Sequence, residues 1–319
     1  MTRPTLSVIV PCYNGRGFVA DAVRSVLDQA DDGVECVVVD DGSQDGSAGF
    51  VEETFGAGVT VIRQANAGAA AARNRGFAAS TGELVVWLDA DDLLAPGTLA
   101  DRRRAFAADP GLEMLIGQSR IVNAATGAVV VEPRPPCGPD YLYAGLLSRR
   151  NLPSQLSITY RRAAAARAGL YDPRQVIAED FVFWVRAVAQ LRWRFTPEVH
   201  GIVRIGGGPS LSTGRGKLYF YDQVGRALHR LRPFLRAHTG SDAAWRRAFG
   251  VYAADYALLA LRRGERGRAW RWATRAIGVA PLAVGPRAAR YWLEAALPPA
   301  AYAFGRAGWG LIDRGHGGR

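Results

Sequence analysis

Two aspartates one residue apart are the side chains of this sequence best suited to chemistry. Asp89 and Asp91 flank Ala90, and Asp92 follows them, directly after the uncharged segment 84–88. Carboxylate oxygens bind hard divalent cations such as Mg²⁺ and Mn²⁺, which usually share their coordination with substrate phosphates. Such a cation would neutralise negative charge that builds up on a departing phosphate. The pattern indicates metal-assisted chemistry on a phosphorylated substrate, and its alternative is a solvated acidic loop.

Three residues nearer the N-terminus could bind a nucleotide. Tyr13 offers an aromatic face to a base, the Asp41 carboxylate can accept a hydrogen bond from a base N–H, and Arg73 carries a planar guanidinium that suits a diphosphate or a base. The alternatives are a Tyr13 ring packed in the core, a turn and helix cap at 40–43, and an Arg73 side chain on a solvated helix face.

A second acidic pair, Glu179 and Asp180, comes directly before an apolar helical pattern at 181–190. Taken alone, the pair is equally consistent with a helix cap, because an aspartate near a helix start can accept hydrogen bonds from free backbone N–H groups.

Apolar strands alternate with helices before these acidic residues. The predicted strands are 6–10, 35–39, 59–62 and 83–88, and the predicted helices are 17–30, 67–80 and 96–108. This alternation predicts a parallel sheet with right-handed crossovers. Because ligands bind beyond the carboxyl ends of such strands, the polar clusters that follow them are expected to share one edge of the sheet.

The remaining elements are predicted from the same patterns. They are strands within 114–131 around a turn at 126–127, a proline-rich connection at 133–139, a helix at 181–190, a strand at 193–195, a flexible loop at 206–209, and helices at 218–238, 242–263 and 266–278. We place a domain boundary near residue 215, with one domain at 1–215 and a helical region at 216–319.

Charge is distributed unevenly between these two regions. Residues 216–319 contain 18 Lys and Arg against 6 Asp and Glu, whereas residues 1–215 contain 22 against 23. The basic region is expected either to contact an anionic surface, such as a membrane, or to be a soluble helical unit with a solvated arginine face.

The cysteines and the N-terminus bear on the expected compartment. Cys12, Cys36 and Cys137 form no C-x-x-C pair, so neither a disulfide framework nor a zinc site is predicted, and a reducing cytosol fits. No signal peptide and no membrane-spanning segment is predicted. We expect a cytoplasmic protein that meets a membrane only peripherally, from the inner face.

Five motifs occur in a characteristic order. They are Val-Pro-Cys-Tyr-Asn at 10–14, Asp-Asp-Gly-Ser at 40–43, Asn66 and Gly68 with Ala-Arg-Asn-Arg-Gly at 72–76, Trp-Leu-Asp-Ala-Asp-Asp at 87–92, and Ala-Glu-Asp at 178–180. Together they resemble the family 2 glycosyltransferases over the first two thirds of the chain. The resemblance implies an α/β fold of the GT-A type, a Rossmann-like mixed sheet of nucleotide-diphospho-sugar transferases, here with a C-terminal helical region.

The resemblance also implies roles for individual residues. The donor-binding residues would be Pro11, Tyr13, Asn14, Asp41, Arg73, Asp89 and Ala90. Asp91 would be the direct metal ligand, and Asp89 would assist it or bind the ribose. Asp180 would be the general base, with Glu179 beside it to orient acceptor or base. An aspartate of ordinary pKa near 4 is already ionised at neutral pH, so it would need only placement.

The implied reaction moves one sugar, with inversion, from a nucleotide sugar to an acceptor hydroxyl. The donor is expected to be a UDP-sugar, the cation Mn²⁺ or Mg²⁺, and the acceptor a saccharide or lipid-linked saccharide of the cell envelope; no nucleic acid partner is expected. Single transfer is favoured over polymer synthesis, because residues 190–193 lack the Q-x-x-R-W spacing of processive relatives.

One departure from the family concerns the metal. Many relatives carry a histidine in the segment that corresponds to 203–212, where this chain has glycine, so the third protein ligand is left open. His200 lies too early to replace it, while Arg204, Ser210 and Ser212 could contact the diphosphate.

Two other functions remain as alternatives. A nucleotidyltransferase also combines an α/β sheet, acidic residues and a metal, but the chain lacks the glycine-rich, lysine-containing phosphate loop expected there. The second alternative is a non-catalytic protein with the same scaffold that binds nucleotide sugars or membranes.

Overall fold

The computed structural model describes residues 4–131, 147, 152–206 and 217–296. Contacts between Cα atoms divide the chain into two compact units, residues 1–215 and 216–319. The predicted connection at 133–139, the residues after Gly206 in the predicted loop, and the boundary near 215 lie outside the described residues, as do Ser210 and Ser212.

Four parallel strands form the first half of the sheet in the first unit. They are β1 (Leu6–Cys12), β2 (Val34–Asp40), β3 (Thr60–Arg63) and β4 (Leu84–Trp87), connected through helices α1 (Val19–Leu27), α2 (Ser47–Phe55) and α3 (Ala69–Ala79). β1 and β4 are almost entirely apolar and buried, as expected for strands covered on both faces. The predicted alternation is confirmed here, and α2 is an additional helix.

The second half makes the sheet mixed. After β5 (Leu93–Leu94) and α4 (Thr98–Ala108) come β6 (Met114–Asn123), β7 (Val129–Val131), β8 (Ile158–Arg161), α5 (Arg162–Arg167), α6 (Glu179–Gln190) and β9 (Trp193–Ile205). The order is β3-β2-β1-β4-β8-β6-β9-β5, with β7 paired to β6. β8 is antiparallel to β4 and to β6, whereas β6 and β9 are parallel to each other. The strand predicted at 193–195 continues to Ile205 because it pairs with β6 along most of its length.

Strand register brings the chemically interesting loops to one edge. Cys12 lies opposite Asp40, and Asp40 lies opposite Arg63, so β1, β2 and β3 end at the same level. Trp87 at the end of β4 lies opposite Ile9 of β1. The loops that follow these four parallel strands therefore leave the sheet on the same side.

Close packing of α3 on the sheet requires a glycine. A Cβ atom on Gly76 would lie 2.3 Å from Cγ2 of Ile9 and 3.1 Å from Cγ2 of Val39. Such distances are well inside van der Waals contact, so any larger residue would push α3 away from β1 and β2. Gly76 thus sets the depth of the helix that carries Arg73.

A buried arginine joins α4 to the second half of the sheet. Arg102 is fully buried, and its guanidinium donates hydrogen bonds to the hydroxyls of Thr98 and Thr159 and to the carbonyls of Leu156, Ile158 and His200. Burial lowers the pKa of Arg102 to about 9. The side chain satisfies several backbone acceptors that have no access to water.

Replacing Arg102 by methionine should therefore destabilise the first unit strongly. Arg102→Met leaves buried carbonyls without donors, and we expect a loss of about 3 kcal/mol in the free energy of unfolding. Urea denaturation measures this loss in the free energy of unfolding. Arg104→Met on the same helix is the control, because the Arg104 side chain is 68% exposed and should change stability by less than about 0.5 kcal/mol. Equal effects of the two substitutions would contradict the buried role.

Four helices form the described part of the second unit. They are α7 (Lys217–Thr239), α8 (Ala243–Arg262), α9 (Arg266–Val279) and α10 (Pro281–Ala296). The first three follow the prediction, and α10 was not predicted. Small residues such as Ala253 and Ala273 are fully buried, and the Tyr256 and Trp272 rings stack with their centroids 4.6 Å apart. Within the described residues, none of the helices combines the length and apolarity needed to cross a membrane.

Candidate functional site

A buried arginine brings the two predicted acidic motifs together. Arg73 is 5% exposed, and its Nη2 donates a hydrogen bond to Oδ1 of Asp89 over 2.7 Å. Its Nη1 donates to Oε1 of Glu179 over 2.6 Å. Residues 106 positions apart in the chain, Arg73 and Glu179, thus meet at one ion-paired cluster, which joins the loop after β4 to the start of α6.

The environment of Arg73 differs from the sequence-based expectation. The residue was expected at a helix start with its guanidinium open to a diphosphate, but it is the fifth residue of α3 and its terminal nitrogens bind carboxylates. Burial alone would lower its pKa, and the charges of Asp89 and Glu179 outweigh burial and hold it above the ordinary value. Arg73 therefore positions acidic side chains in this structure.

Tyr171 belongs to the same cluster and was not predicted. Its ring lies under the Arg73 guanidinium, 5.1 Å from Cζ to the ring centroid. Asn74 binds the backbone of Tyr171 twice, donating from Nδ2 to the carbonyl and accepting the N–H at Oδ1. No local sequence pattern identifies Tyr171 as a site residue, because it lies outside every motif. Its position depends on contacts with Arg73 and Asn74 of α3.

Asp180 lies beside this cluster, in the first turn of α6. The residue before the acidic pair, Ala178, adopts a left-handed conformation with φ 64°, an unusual backbone for a residue with a side chain. Ala178 is the N-cap residue and provides no side-chain cap, while Oδ1 of Asp180 accepts the N–H of Phe181 over 2.6 Å. The chain turns sharply at Ala178, and the two carboxylates follow immediately.

The protonation of Asp180 departs from the value expected from sequence. Burial and the neighbouring Glu179 charge raise the pKa of Asp180 to about 7, against the opposing effect of Arg73. The expected pKa near 4 is therefore wrong for the folded chain, since it ignored both the buried surroundings and the adjacent carboxylate.

The loop after β4 concentrates three carboxylates. Burial and the charge of Asp89 raise the pKa of Asp91. Burial and the charges of Asp89 and Asp91 raise the pKa of Asp92 to about 8, although its Oδ1 accepts the backbone N–H of Arg204. Arg73 and Arg204 oppose these rises only in part, and a divalent cation would supply further positive charge. The oxygen ligands of Asp89 and Asp91 fit Mg²⁺ or Mn²⁺ on this ground.

Arg204 holds this loop from the side of α1. Its Nε donates to the carbonyl of Asp91 over 2.6 Å, and its Nη1 donates to Oδ2 of Asp21 over 3.0 Å. The side chain is thereby committed to the loop backbone and to α1, which corrects the expectation that Arg204 reaches the diphosphate.

No third protein ligand for a cation emerges from the described residues. His200 is buried beside Gly117 in the sheet, and burial together with Arg102 lowers its pKa to about 3. Within residues 4–131, 147, 152–206 and 217–296, no three His, Cys, Asp or Glu side chains form a group able to hold a metal.

Asp41 organises the loop in front of α3. Its Oδ1 accepts hydrogen bonds from Nε2 of Gln64 and the N–H of Ala67, and its Oδ2 accepts the N–H of Gly68, all within 2.8 Å. Two of its lone-pair positions are thus used by backbone N–H groups. The turn-forming alternative describes Asp41 well, and any contact with a base would use the capacity that remains.

The loop after β1 presents the other predicted donor-binding residues. Tyr13 is 52% exposed, which excludes the alternative of a core position. Asn14 has φ 49° and ties this loop to the next one, donating its N–H to Oγ of Ser43 and accepting the N–H of Gln44 at Oδ1. Pro11 and Ala90 are half-buried at the ends of their segments. All four lie where parallel strands end.

Comparison with known proteins gives a family match over the first half of the chain. Residues 7–163 match the model of glycosyl transferase family 2. Uncharacterized glycosyltransferase YibD of Escherichia coli (strain K12) is 30% identical over 210 residues, which are 60% of this chain and 59% of that protein. Uncharacterized glycosyltransferase alr2836 of Nostoc sp. is 43% identical over 97 residues, 30% of each chain. The chain thus spans less than two thirds of the length of these relatives.

Two solved structures share the fold. S. aureus TarS 1-349 in complex with UDP-GlcNAc has a TM-score of 0.61 at 19% identity, covering 94% of this chain and 92% of that one. The mannosyltransferase PcManGT from Pyrobaculum calidifontis, in complex with GDP-Man and Mn2+, has a TM-score of 0.53 at 22% identity, covering 98% and 89%. The predicted GT-A architecture, a mixed sheet with a C-terminal helical region, is confirmed.

Proposed function

Because residues 7–163 belong to glycosyl transferase family 2, we propose that this chain moves a single sugar, with inversion, from a nucleotide sugar to an acceptor hydroxyl. The observation that supports the reaction is the Arg73 ion-pair cluster, which joins Asp89 of the loop after β4 to Glu179 next to Asp180. Such a reaction needs a cation, held by carboxylates, beside the leaving group and a carboxylate base beside the attacking hydroxyl, and two acidic motifs meet here.

The donor side consists of the loops after β1, β2 and β4. Asp91 and Asp89 would hold Mn²⁺ or Mg²⁺, which when bound acts as a Lewis acid for the departing diphosphate. Tyr13 would stack on the base, with Pro11, Asn14, Asp41 and Ala90 lining the nucleotide. Arg73 would keep Asp89 oriented and so reach the donor indirectly.

The acceptor side depends on Asp180. With Glu179 held by Arg73, Asp180 would accept the proton of the attacking hydroxyl. The raised pKa suits this role, because a base that titrates near the working pH combines ionisation with a useful driving force for proton transfer.

The same comparison supports a nucleotide-sugar donor in general. TarS was solved with UDP-GlcNAc and PcManGT with GDP-Man, so nucleotide sugars occupy this fold, and a UDP-sugar is our proposal for this chain. The proposed acceptor is a saccharide or lipid-linked saccharide of the cell envelope, met at the cytoplasmic side of the membrane.

A panel of nucleotide sugars tests the function. The purified chain should hydrolyse or transfer from one member of the panel when Mn²⁺ or Mg²⁺ is added, and release a nucleoside diphosphate. Release of pyrophosphate from a nucleoside triphosphate would instead indicate a nucleotidyltransferase. Tight binding of a nucleotide sugar without turnover for any acceptor would favour a non-catalytic protein.

The pKa of Asp180 leads to a specific pH dependence. Since a protonated Asp180 cannot accept a proton, kcat/KM should fall about tenfold per pH unit below about pH 7 and reach a plateau above it. Donor affinity measured over the same range separates loss of the base from loss of binding. A profile that stays flat down to pH 5 would contradict the raised pKa.

A further inference from the structure

α10 carries apolar side chains on two opposite faces. The buried face consists of Val284, Ala288 and Ala295. The opposite face consists of Leu282, Pro286 and Leu293, whose spacing of four and seven residues places them on one side of a helix. Leu282 is 100% exposed and Leu293 is 42% exposed. We call the exposed set Leu282, Pro286 and Leu293 the α10 stripe.

The adjoining helix extends this surface with aromatic and basic side chains. The rings of Trp270 and Trp292 lie 6.3 Å apart, and Nε1 of Trp292 donates a hydrogen bond to Oγ1 of Thr274. Trp270 is itself exposed. Arg271 and Arg275 are exposed at the next positions of α9, so positive charge lies beside the tryptophan pair.

The second unit as a whole is strongly basic. Its described helices, residues 217–296, contain 15 Lys and Arg against 5 Asp and Glu. Two of these carboxylates are already paired, Asp242 with Arg232 and Glu265 with Arg268. Five carboxylates cannot neutralise fifteen cations, so the second unit as a whole carries a positive field.

We propose that the α10 stripe and the neighbouring face of α9 dock on an anionic phospholipid membrane. Leucine side chains would enter the boundary of the hydrocarbon region, tryptophan rings suit the interface, and arginines would contact the headgroups. This is surface docking, in keeping with the finding that no described helix is suited to cross a bilayer. The inference goes beyond the proposed sugar transfer and stands without it.

Positive charge and exposed apolar side chains together favour an anionic membrane over other binding partners. A second copy of the chain would bring an equally positive surface against the first, which like-charge repulsion opposes. A nucleic acid would match the charge but would offer no apolar phase to Leu282 and Leu293. An anionic membrane satisfies both features of the surface.

Sedimentation with lipid vesicles tests the stripe. The full chain should bind vesicles of phosphatidylglycerol and phosphatidylcholine and bind pure phosphatidylcholine weakly. Leu282→Glu with Leu293→Glu should weaken binding to the anionic vesicles by about tenfold or more, because two apolar side chains no longer enter the membrane. Val130→Glu is the matched control, since Val130 is 52% exposed on β7 of the first unit, and its binding should equal that of the unchanged chain.

A charge reversal tests the basic neighbours. Arg271→Glu should weaken binding to anionic vesicles by about tenfold, and added salt should reduce the difference. Arg194→Glu, an exposed arginine of β9 in the first unit, changes the net charge by the same amount and should have a much smaller effect.

Four results would overturn the proposal. They are failure of the unchanged chain to bind anionic vesicles, unchanged vesicle binding by the double glutamate variant, a shift of that variant from dimer to monomer, and salt-dependent binding of an oligonucleotide in preference to vesicles. A lower melting temperature of the double variant would likewise mean that the chain itself covers the stripe.

Discussion

Asp180→Asn should reduce kcat by about a thousandfold or more while leaving donor affinity nearly unchanged. The substitution keeps the size of the side chain and its position at the start of α6, but an amide cannot accept the proton of an attacking hydroxyl. Loss of a positioned general base commonly costs between about a hundred- and ten-thousandfold. Initial rates with saturating donor and acceptor, together with donor binding by calorimetry, measure the two effects.

Asp32→Asn is the control for this substitution. Asp32 is exposed between α1 and β2 and lies outside all five motifs, so its replacement should leave kcat unchanged. If Asp180→Asn retained near-normal turnover, the proton would have to be taken by another group, and Glu179 would be examined next.

Asp91→Ala should abolish metal-dependent cleavage of the donor. Removing a carboxylate that would hold the cation takes away charge neutralisation at the departing diphosphate, and several kcal/mol of lost stabilisation correspond to about a thousandfold in rate. Mn²⁺ affinity, followed by electron paramagnetic resonance of the free ion, provides a readout that does not depend on turnover.

The result that would contradict this role is retention of both Mn²⁺ affinity and activity in Asp91→Ala. Asp32→Ala should behave like the unchanged chain in both measurements. Because Asp91 lies in a turn outside the strands and helices, its replacement should not disturb the fold, and an unchanged urea midpoint checks this point.

Local patterns were sufficient to predict the first half of the sheet. Each early strand is a short apolar run that ends in polar residues, as in β2, whose last residue Asp40 precedes Asp41. Parallel strands linked by helices end at one edge, so order and spacing alone predicted which loops share that edge. The GT-A architecture and the family followed from the same motifs.

The second half of the sheet could not be predicted from local patterns. β8 pairs with β4 and β6, and β9 runs ten residues beyond the predicted end, because its pairing with β6 stabilises residues whose own pattern is weak. Strand pairing between distant segments depends on partners that no window of sequence contains.

Only the tertiary structure decided how the acidic residues are connected. The sequence by itself determined that Asp89 and Asp91 follow a buried strand and that Glu179 and Asp180 come directly before a helical pattern. It could not reveal that Arg73 binds Asp89 and Glu179 at once, nor that burial raises the pKa of Asp180 to about 7. The reason is physical: ion pairing and desolvation depend on what surrounds a charge in space, and those neighbours come from parts of the chain about a hundred residues apart.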